Sequence, residues 1–261
     1  MPTISIRAEQ IFSIGGFPVT NSLALSAAVF LFFGIMALVF RRRIALVPRG
    51  LQNLFEAIVD GTLDLMDSVL GDRKKSEKYM PLVLTIFLFV LLSNWSGLIP
   101  GVGSLTMKTP EGIVPLFRSP AADLNFTLAL ALIAVTFINA FGVAAIGIKA
   151  RLSTFFNFKG PIDFFVGILE LVSEFAKIVS FSFRLFGNVF AGEVLLTIMA
   201  FLVPYAAPLP FLFLEIFVGF IQAFIFGMLT LVFVSIAVVE HDHEEGGEKG
   251  HKIQSVVPTN Y

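Results

Sequence analysis

The sequence predicts an all-α polytopic membrane protein with transmembrane helices, an interfacial amphipathic helix and a long tilted two-helix hairpin. Of its 261 residues, 56% are hydrophobic and 14% are charged. The mean hydropathy of +0.88 lies outside the usual range of soluble globular domains. Uncharged runs of about 20 residues, the length that crosses a bilayer, alternate with short basic clusters. A proline-free run of 42 residues near the carboxyl terminus is too long for one upright span.

The composition also argues against several classes of function. A net charge of −1 gives no basic excess for a nucleic-acid partner. The chain has no cysteine, which excludes disulfides and thiolate metal sites. It also lacks the glycine-rich phosphate loop of nucleotide-binding proteins. We therefore predict a single membrane domain, residues 1–261, without a cofactor or a metal site.

The first predicted span covers residues 21–40, a run without a charged side chain. Residues 1–20 contain Arg7 and Glu9 but no basic run, which argues against a cleavable signal peptide. Three arginines, residues 41–43, follow the span. Because basic residues concentrate on the cytoplasmic side of membrane helices, the amino-terminal segment 1–20 is predicted to lie outside.

Residues 51–70 predict the amphipathic helix, because their apolar residues recur at helical spacing between acidic ones. The segment lies between two basic clusters, which favours a position along the cytoplasmic interface. Packing against other subunits is the alternative.

Two further spans are predicted at residues 81–99 and 125–148. The connection between them, residues 100–123, carries two basic residues, whereas the loop from residue 41 to residue 78 carries eight. This asymmetry places the 100–123 connection outside and the end of the 125–148 span inside.

The hairpin is predicted at residues 162–203 and 211–239, with Pro204, Pro208 and Pro210 marking its turn. As one helix, its first arm would extend about 63 Å, roughly twice the hydrocarbon core. The arm must therefore tilt, bend or begin along the interface. Residues 240–261 form a polar tail, predicted to be cytoplasmic; its three histidines are better explained by a flexible polar terminus than by a metal site.

The hairpin holds ionisable residues in an apolar setting. A charge such as Arg184 costs roughly 2.5–3.5 kcal/mol at the centre of a membrane helix and therefore suggests a function. Glu193 follows nine residues later, about 180° around the helix, so the two cannot form a simple intrahelical pair. A small and polar stripe runs along the face of the arginine: Ser173, Lys177, Ser180, Arg184, Asn188 and Ala191.

Acids bracket Arg184 along the first arm, with Glu170 about 21 Å before it and Glu193 about 14 Å after it. On the second arm, Glu215 shares a face with Gln222. Carboxylates can accept and release protons, whereas arginine stays charged. The pattern predicts two hydrophilic approaches for ions, separated by one fixed positive charge.

Two interpretations of Arg184 remain open at this level. It either packs between helices, neutralised by an acid of the same chain such as Glu215, or it faces a carboxylate of a partner; the helical geometry modestly favours the partner. Glu174 likewise either borders an ion path or solvates a helix end.

The motif RLFGNVFAGE at residues 184–193 closely resembles subunit a of F-type ATP synthase, especially its bacterial members. The segments ILE at 168–170 and QAFIF at 222–226 belong to the same resemblance. In the amino-terminal half, the similarity rests on topology and on NWSGLIP at residues 94–100. The resemblance extends over essentially the whole chain.

This resemblance implies a role for each candidate residue. Arg184 matches the essential arginine that faces the carboxylate of the rotating c-ring. Lys177 matches a basic position without an assigned transport role. The remaining matches are Asn188 and Gln222 beside the arginine, Glu193 and Glu215 in the outer half-channel (the latter site is histidine in some relatives), and Glu170, Ser173 and Ser180 toward the cytoplasmic exit.

The resemblance further implies a proton-translocating stator subunit of the membrane Fo sector, not catalytic on its own, in the bacterial plasma (inner) membrane. The implied partners are the c-ring, subunit b of the peripheral stalk, other ATP synthase subunits and lipid. A self-contained transporter or channel is the main alternative, although the sequence shows no convincing internal repeat. A purely structural membrane scaffold is the third possibility.

Overall fold

A computed structural model describes residues 7–43, 45, 50–99, 101–102, 105–109, 112–155, 160–203 and 208–239. Within these ranges the α-helices are α1 (Asn21–Arg43), α2 (Leu51–Leu70), α3 (Arg73–Ser96), α4 (Leu124–Ile146), α5 (Ile148–Phe155), α6 (Pro161–Leu202) and α7 (Pro208–Val239). All of these helices except α2 and α5 are long and apolar enough to cross a membrane, as expected for the predicted all-α polytopic fold class.

Some predicted features lie outside the described residues. They are the polar tail at 240–261, residues 1–6 of the amino-terminal segment, and Pro204 in the turn of the hairpin.

Two helices begin earlier than the sequence pattern suggested. α3 starts at Arg73 instead of residue 81, because the carboxylate of Asp72 accepts a hydrogen bond from the backbone N–H of Lys74 at 2.9 Å and caps the helix. Pro81 lies inside α3, which ends at Ser96. α7 starts at Pro208 instead of residue 211, since the first turn of a helix tolerates proline.

Two β-hairpins and the short helix α5 were not predicted. β1 (Gln10–Ile14) pairs with β2 (Phe17–Thr20), and β3 (Thr106–Thr109) pairs with β4 (Gly112–Pro115), each as an antiparallel hairpin. Gly147, at a φ of 84°, separates α4 from the short helix α5, so the predicted span 125–148 ends as a helix at Ile146.

The core lies where α3, α4, α6 and α7 meet. Phe181 of α6 packs on Phe226 of α7 with ring centroids 4.5 Å apart. Ala131 and Ala134 of α4 and Ala223 of α7 are completely buried in the same cluster. Small residues at these positions let helices in a membrane approach closely. The van der Waals packing that results stabilises the association of the helices.

The two arms of the hairpin differ in their burial. In the most apolar stretch of each helix, 11% of the α6 residues are buried, against 50% of the α7 residues. α7 is thus a central helix of the bundle, whereas α6 presents a wide face that the described part of the chain leaves uncovered.

The ends of the hairpin serve as reference points. The turn end is the end at Leu202 and Pro208, and the open end is the end at Pro161 and Val239. The residues before α4 belong to the turn end, where Arg118 contacts Glu193.

Candidate functional site

Arg184 lies on the exposed face of α6, directly before the fully buried Leu185. Its Nη2 atom donates a hydrogen bond to the hydroxyl of Ser180, one turn earlier, at 3.1 Å. Within the described ranges, no ion pair joins Arg184 to Glu193 or Glu215. The interpretation in which an acid of the same chain neutralises Arg184 therefore finds no support in the structure.

A cavity of about 230 Å³ opens on the turn-end side of Arg184, between α3, α6, α7 and the connection before α4. We call it the turn-end cavity. Its volume is sufficient for several water molecules. Its lining includes four of the predicted residues and further polar side chains, among them an amide and an arginine: Asn188, Glu193, Glu215 and Gln222, with Asn94 and Arg118.

Arg118 and Glu193 form an ion pair in this cavity. The Nε atom of Arg118 lies 3.1 Å from each carboxylate oxygen of Glu193. The arginine side chain is 6% exposed and the glutamate side chain 35%. Arg118 also donates from Nη1 to the backbone carbonyl of Arg7 at 3.3 Å, and its guanidinium lies over the ring of Phe190. The pair ties the connection before α4 to the first arm of the hairpin.

Glu215 reaches the cavity from α7, and its carboxyl group lies directly against the backbone of Gly192 on α6. A Cβ atom at position 192 would fall on that carboxyl group. Gly192 is buried, whereas Glu215 is partly exposed. The absence of a side chain at residue 192 thus lets the acid of one arm approach the other arm next to Glu193.

Two hydrogen bonds donated by side-chain amides join the helices at the inner wall of the cavity. Asn188 Nδ2 donates to Gln222 Oε1 at 2.6 Å, which links α6 to α7. Asn94 Nδ2 donates to the carbonyl of Gly219 at 3.0 Å, which links α3 to α7. The remaining polar atoms, Gln222 Nε2 and Asn94 Oδ1, are buried without a protein partner. Buried groups of this kind are usually satisfied by water, and the cavity is wide enough to admit it.

The other three candidates lie on the open-end side of Arg184, outside the turn-end cavity. Glu170 and Ser173 are partly exposed and Ser180 is exposed along α6. Only Ser180 touches Arg184. The structure therefore distributes the predicted residues along α6 on both sides of the arginine.

Glu174 does not solvate a helix end, because it is 8% exposed. It accepts hydrogen bonds from Arg151 of α5, Lys177 of α6 and Asn139 of α4. We call these four residues the ion cluster. Both Glu174 and Arg151 are charged residues in the interior of the bundle, where a charge needs a partner.

The arrangement can exchange protons, because its carboxylates gain and lose an O–H bond as they are protonated and deprotonated. Carboxylates occur on both sides of a cation that keeps its charge at any physiological pH. The described residues contain no group of three or more histidine, cysteine or acidic side chains that could hold a metal ion.

Sequence reasoning missed three contributors to the site. Arg118 lies 75 residues from Glu193 in a loop, where no periodic pattern indicates its direction. Asn94 opens the NWSGLIP segment of the resemblance, but its contact with α7 spans 125 residues of sequence and has no local signal. Gly192 lies inside the recognised motif, but the contact that requires a glycine comes from the other arm.

Comparisons with known proteins give matches over most of the chain. The family described as "ATP synthase A chain" matches residues 22–235. The chain is 40% identical over 213 residues to ATP synthase subunit a of Campylobacter jejuni strain 81-176, covering 80% of this chain and 86% of the relative. It is 35% identical over 242 residues to subunit a of Syntrophobacter fumaroxidans, covering 91% and 92%. The corresponding protein of Helicobacter pylori strain P12 is 37% identical over 225 residues, covering 85% and 90%.

Proposed function

Because this chain belongs to the family of the ATP synthase A chain, we propose that it forms two offset half-channels beside a ring of c subunits. Protons pass through these half-channels to and from the carboxylates of the ring, and their flow drives rotation. The chain is the stationary partner in this process, and ATP chemistry takes place on other subunits.

The isolation of Arg184 is the observation that carries the proposal. It is a cation on the exposed face of an apolar helix, and its polar contact within the described ranges is the Ser180 hydroxyl. A charge costs roughly 2.5–3.5 kcal/mol at the centre of a membrane helix. A carboxylate on a neighbouring ring subunit compensates this cost.

Arg184 has two effects on protons. It stabilises the ionised form of a ring carboxylate that comes close, so a protonated carboxyl group loses its proton on arrival. It also repels protons that would otherwise leak directly from one half-channel to the other. The arginine thus makes proton transfer depend on movement of the ring.

The turn-end cavity forms the outer half-channel. Glu193 and Glu215 take up protons there, while Asn188 and Gln222 hold the two arms together beside the path to the ring. The buried and partly unsatisfied amides provide a polar wall for water along this route. Protons reach the ring carboxylate at the level of Asn188, one turn from Arg184.

The second half-channel runs along the open-end part of α6, where Glu170, Ser173 and Ser180 provide polar groups. The exposure of these side chains supports a path that is completed by the surface of the ring. Protons leave by this route after the ring has turned past Arg184.

The proposed orientation follows the basic clusters of the sequence. The amino terminus and the turn end face outward, and the carboxyl terminus and the open end face the cytoplasm of a bacterial cell. The chain crosses the plasma (inner) membrane with α1, α3, α4, α6 and α7, and α2 lies along the cytoplasmic interface. Its proposed partners are the c-ring, subunit b of the peripheral stalk and the lipid bilayer.

Substitution of Arg184 tests the proposal. Arg184→Ala should abolish proton-driven ATP synthesis by reconstituted complexes while leaving assembly largely intact, because the side chain is exposed. Normal synthesis by this variant would overturn the proposal. A purely structural scaffold would instead predict unchanged proton conductance in Glu193→Gln and Glu215→Gln vesicles.

Crosslinking tests the position of the ring. The chain has no cysteine, so an introduced one is its only thiol. Gly187→Cys is suitable because a Cβ atom there meets nothing within 4 Å, and Gly34→Cys on α1 is a control with the same property. The cysteine at 187 should form a disulfide with a cysteine in the outward-facing helix of subunit c, and the control should not. Transport without any such contact would favour a self-contained transporter.

A further inference from the structure

The ion cluster lies on the open-end side of Arg184 and joins three helices. Lys177 Nζ is 2.6 Å from Glu174 Oε1, and Arg151 Nη2 is 3.3 Å from the same oxygen. The second oxygen of Glu174 accepts a hydrogen bond from Asn139 Nδ2 at 2.9 Å. One acid thus serves two cations, and the proposed half-channel mechanism gives this acid no role.

The direction of Lys177 is unexpected for its place in the sequence. It precedes Arg184 by seven residues, which places the two about 20° apart around α6 and about 10 Å apart along it. Yet the lysine side chain is only 16% exposed. Its ammonium group lies 5.0 Å from the ring centroid of Phe233 on α7. The charge has therefore turned from the exposed face of α6 into the bundle.

Glu174 is the group that draws the lysine inward. The ring of Phe233 attracts a cation only weakly compared with a carboxylate at 2.6 Å. A lysine that loses its buried acid can move its ammonium to a more polar place, because its stem is long and flexible. For Lys177 that place is the stripe that carries Ser173, Ser180 and Arg184.

We propose that Glu174 is a positioning residue that holds Lys177 inside the bundle, so that Arg184 remains the only cation that α6 presents to the ring. The inference rests on the proposed function, because it requires the exposed face of α6 to be the path by which protons leave. α6 contains no other basic residue than these two.

A lysine released onto this face would impede transport in two ways. It would compete with Arg184 for the ring carboxylate, and it would repel the proton that leaves toward the open end. A proton at the level of Arg184 lies about 10 Å along α6 from residue 177. At an effective dielectric constant near 20, the Coulomb repulsion between two unit charges at this distance slows proton passage by about tenfold.

Substitutions that distinguish the effect of Lys177 from that of Arg151 test the inference. Glu174→Gln keeps the size of the side chain and should lower proton conductance, measured per assembled complex in vesicles under an imposed potential, by about tenfold. Lys177→Gln alone should conduct within about twofold of the unmodified protein. The double variant Glu174→Gln with Lys177→Gln should recover that level, because no second cation is left that could move onto the exposed face of α6.

The matched control is Glu174→Gln combined with Arg151→Gln. This pair removes the other cation of the cluster and leaves Lys177 free, so conductance should stay low. If Arg151→Gln restores conductance and Lys177→Gln does not, Glu174 merely neutralises Arg151 and the inference is wrong. Unchanged conductance of the single Glu174→Gln variant would also overturn it.

A second readout reports the position of the lysine directly. An amine-reactive, water-soluble reagent should modify Lys177 in the Glu174→Gln complex much faster than in the unmodified complex, as quantified by mass spectrometry of the peptide. Equal rates would contradict release of the side chain. Failure of the proposed function is recognised separately, because it appears as normal synthesis by Arg184→Ala whatever the behaviour of the Glu174 variants.

Discussion

Gly192→Ala tests the contact that brings the two arms of the hairpin together in the turn-end cavity. The added methyl group would fall on the carboxyl group of Glu215, which is the far end of a flexible side chain. The carboxyl group can rotate away while the two helices stay in place. We therefore expect a variant that folds and assembles but holds Glu215 in another position.

The expected change in the stability of Gly192→Ala follows from two opposing contributions. Alanine is favoured over glycine inside a helix by about 0.5–1 kcal/mol. Moving the Glu215 side chain away from its preferred rotamer costs about 0.5–1.5 kcal/mol. The net change in stability should stay within about 1 kcal/mol. Proton conductance should nevertheless fall to the level of Glu215→Gln, because the carboxyl group has left the cavity wall beside Glu193.

The assay is proton conductance of vesicles that contain the membrane sector, normalised to the amount of assembled complex. Gly34→Ala on α1 is the matched control, because it is the same change on a helix and its Cβ atom meets nothing within 4 Å. Conductance of Gly192→Ala equal to that of Gly34→Ala, with Glu215→Gln impaired, would refute the assigned contact. Loss of assembly in Gly192→Ala would refute the estimate of its stability.

Three other substitutions probe two further contacts of the turn-end cavity and the cap of α3. Arg118→Gln should lower conductance, because a charge-assisted hydrogen bond of about 1.5–3 kcal/mol fixes Glu193. The same substitution should have little further effect in a Glu193→Gln background, which a double-mutant cycle measures. Gln222→Leu removes the 2.6 Å hydrogen bond from Asn188 and should lower the thermal stability of the complex by about 1 kcal/mol. Asp72→Ala removes the cap of α3 and should also cost about 1 kcal/mol in thermal unfolding, with conductance unchanged.

Local periodicity accounts for the parts of the fold that could be predicted from the sequence. The apolar spacing of residues 51–70 coincides with α2. The boundary of α3 was harder to place, because its first turns carry charged residues and Pro81 resembles a start signal. The structure shows instead that Asp72 caps a helix which continues through the proline. The β1–β2 and β3–β4 hairpins were missed because their strands have only four or five residues.

The candidate site shows a similar division between local and long-range information. The helical wheel of α6 separates Arg184 from Glu193, and the structure likewise pairs the acid with a different residue, Arg118. That partner could not be found from spacing, because loop residues have no periodicity and the contact spans 75 residues of sequence. Glu174 illustrates the same difficulty, since its contact with Arg151 depends on how α5 folds back onto α6.

The pairing of buried cations gives the most direct reason to seek an external partner for Arg184. Arg118 is paired with Glu193, and Arg151 with Glu174, each at 3.3 Å or less. Both arginines are at most 6% exposed, so the chain supplies an acid wherever it encloses a guanidinium among its described residues. Arg184 instead lies on the exposed face of an apolar helix, where its polar contact among the described residues is a serine hydroxyl. Since a charge without an ionic partner among the described residues is costly in a membrane, we propose that the carboxylate that completes the site comes from another subunit.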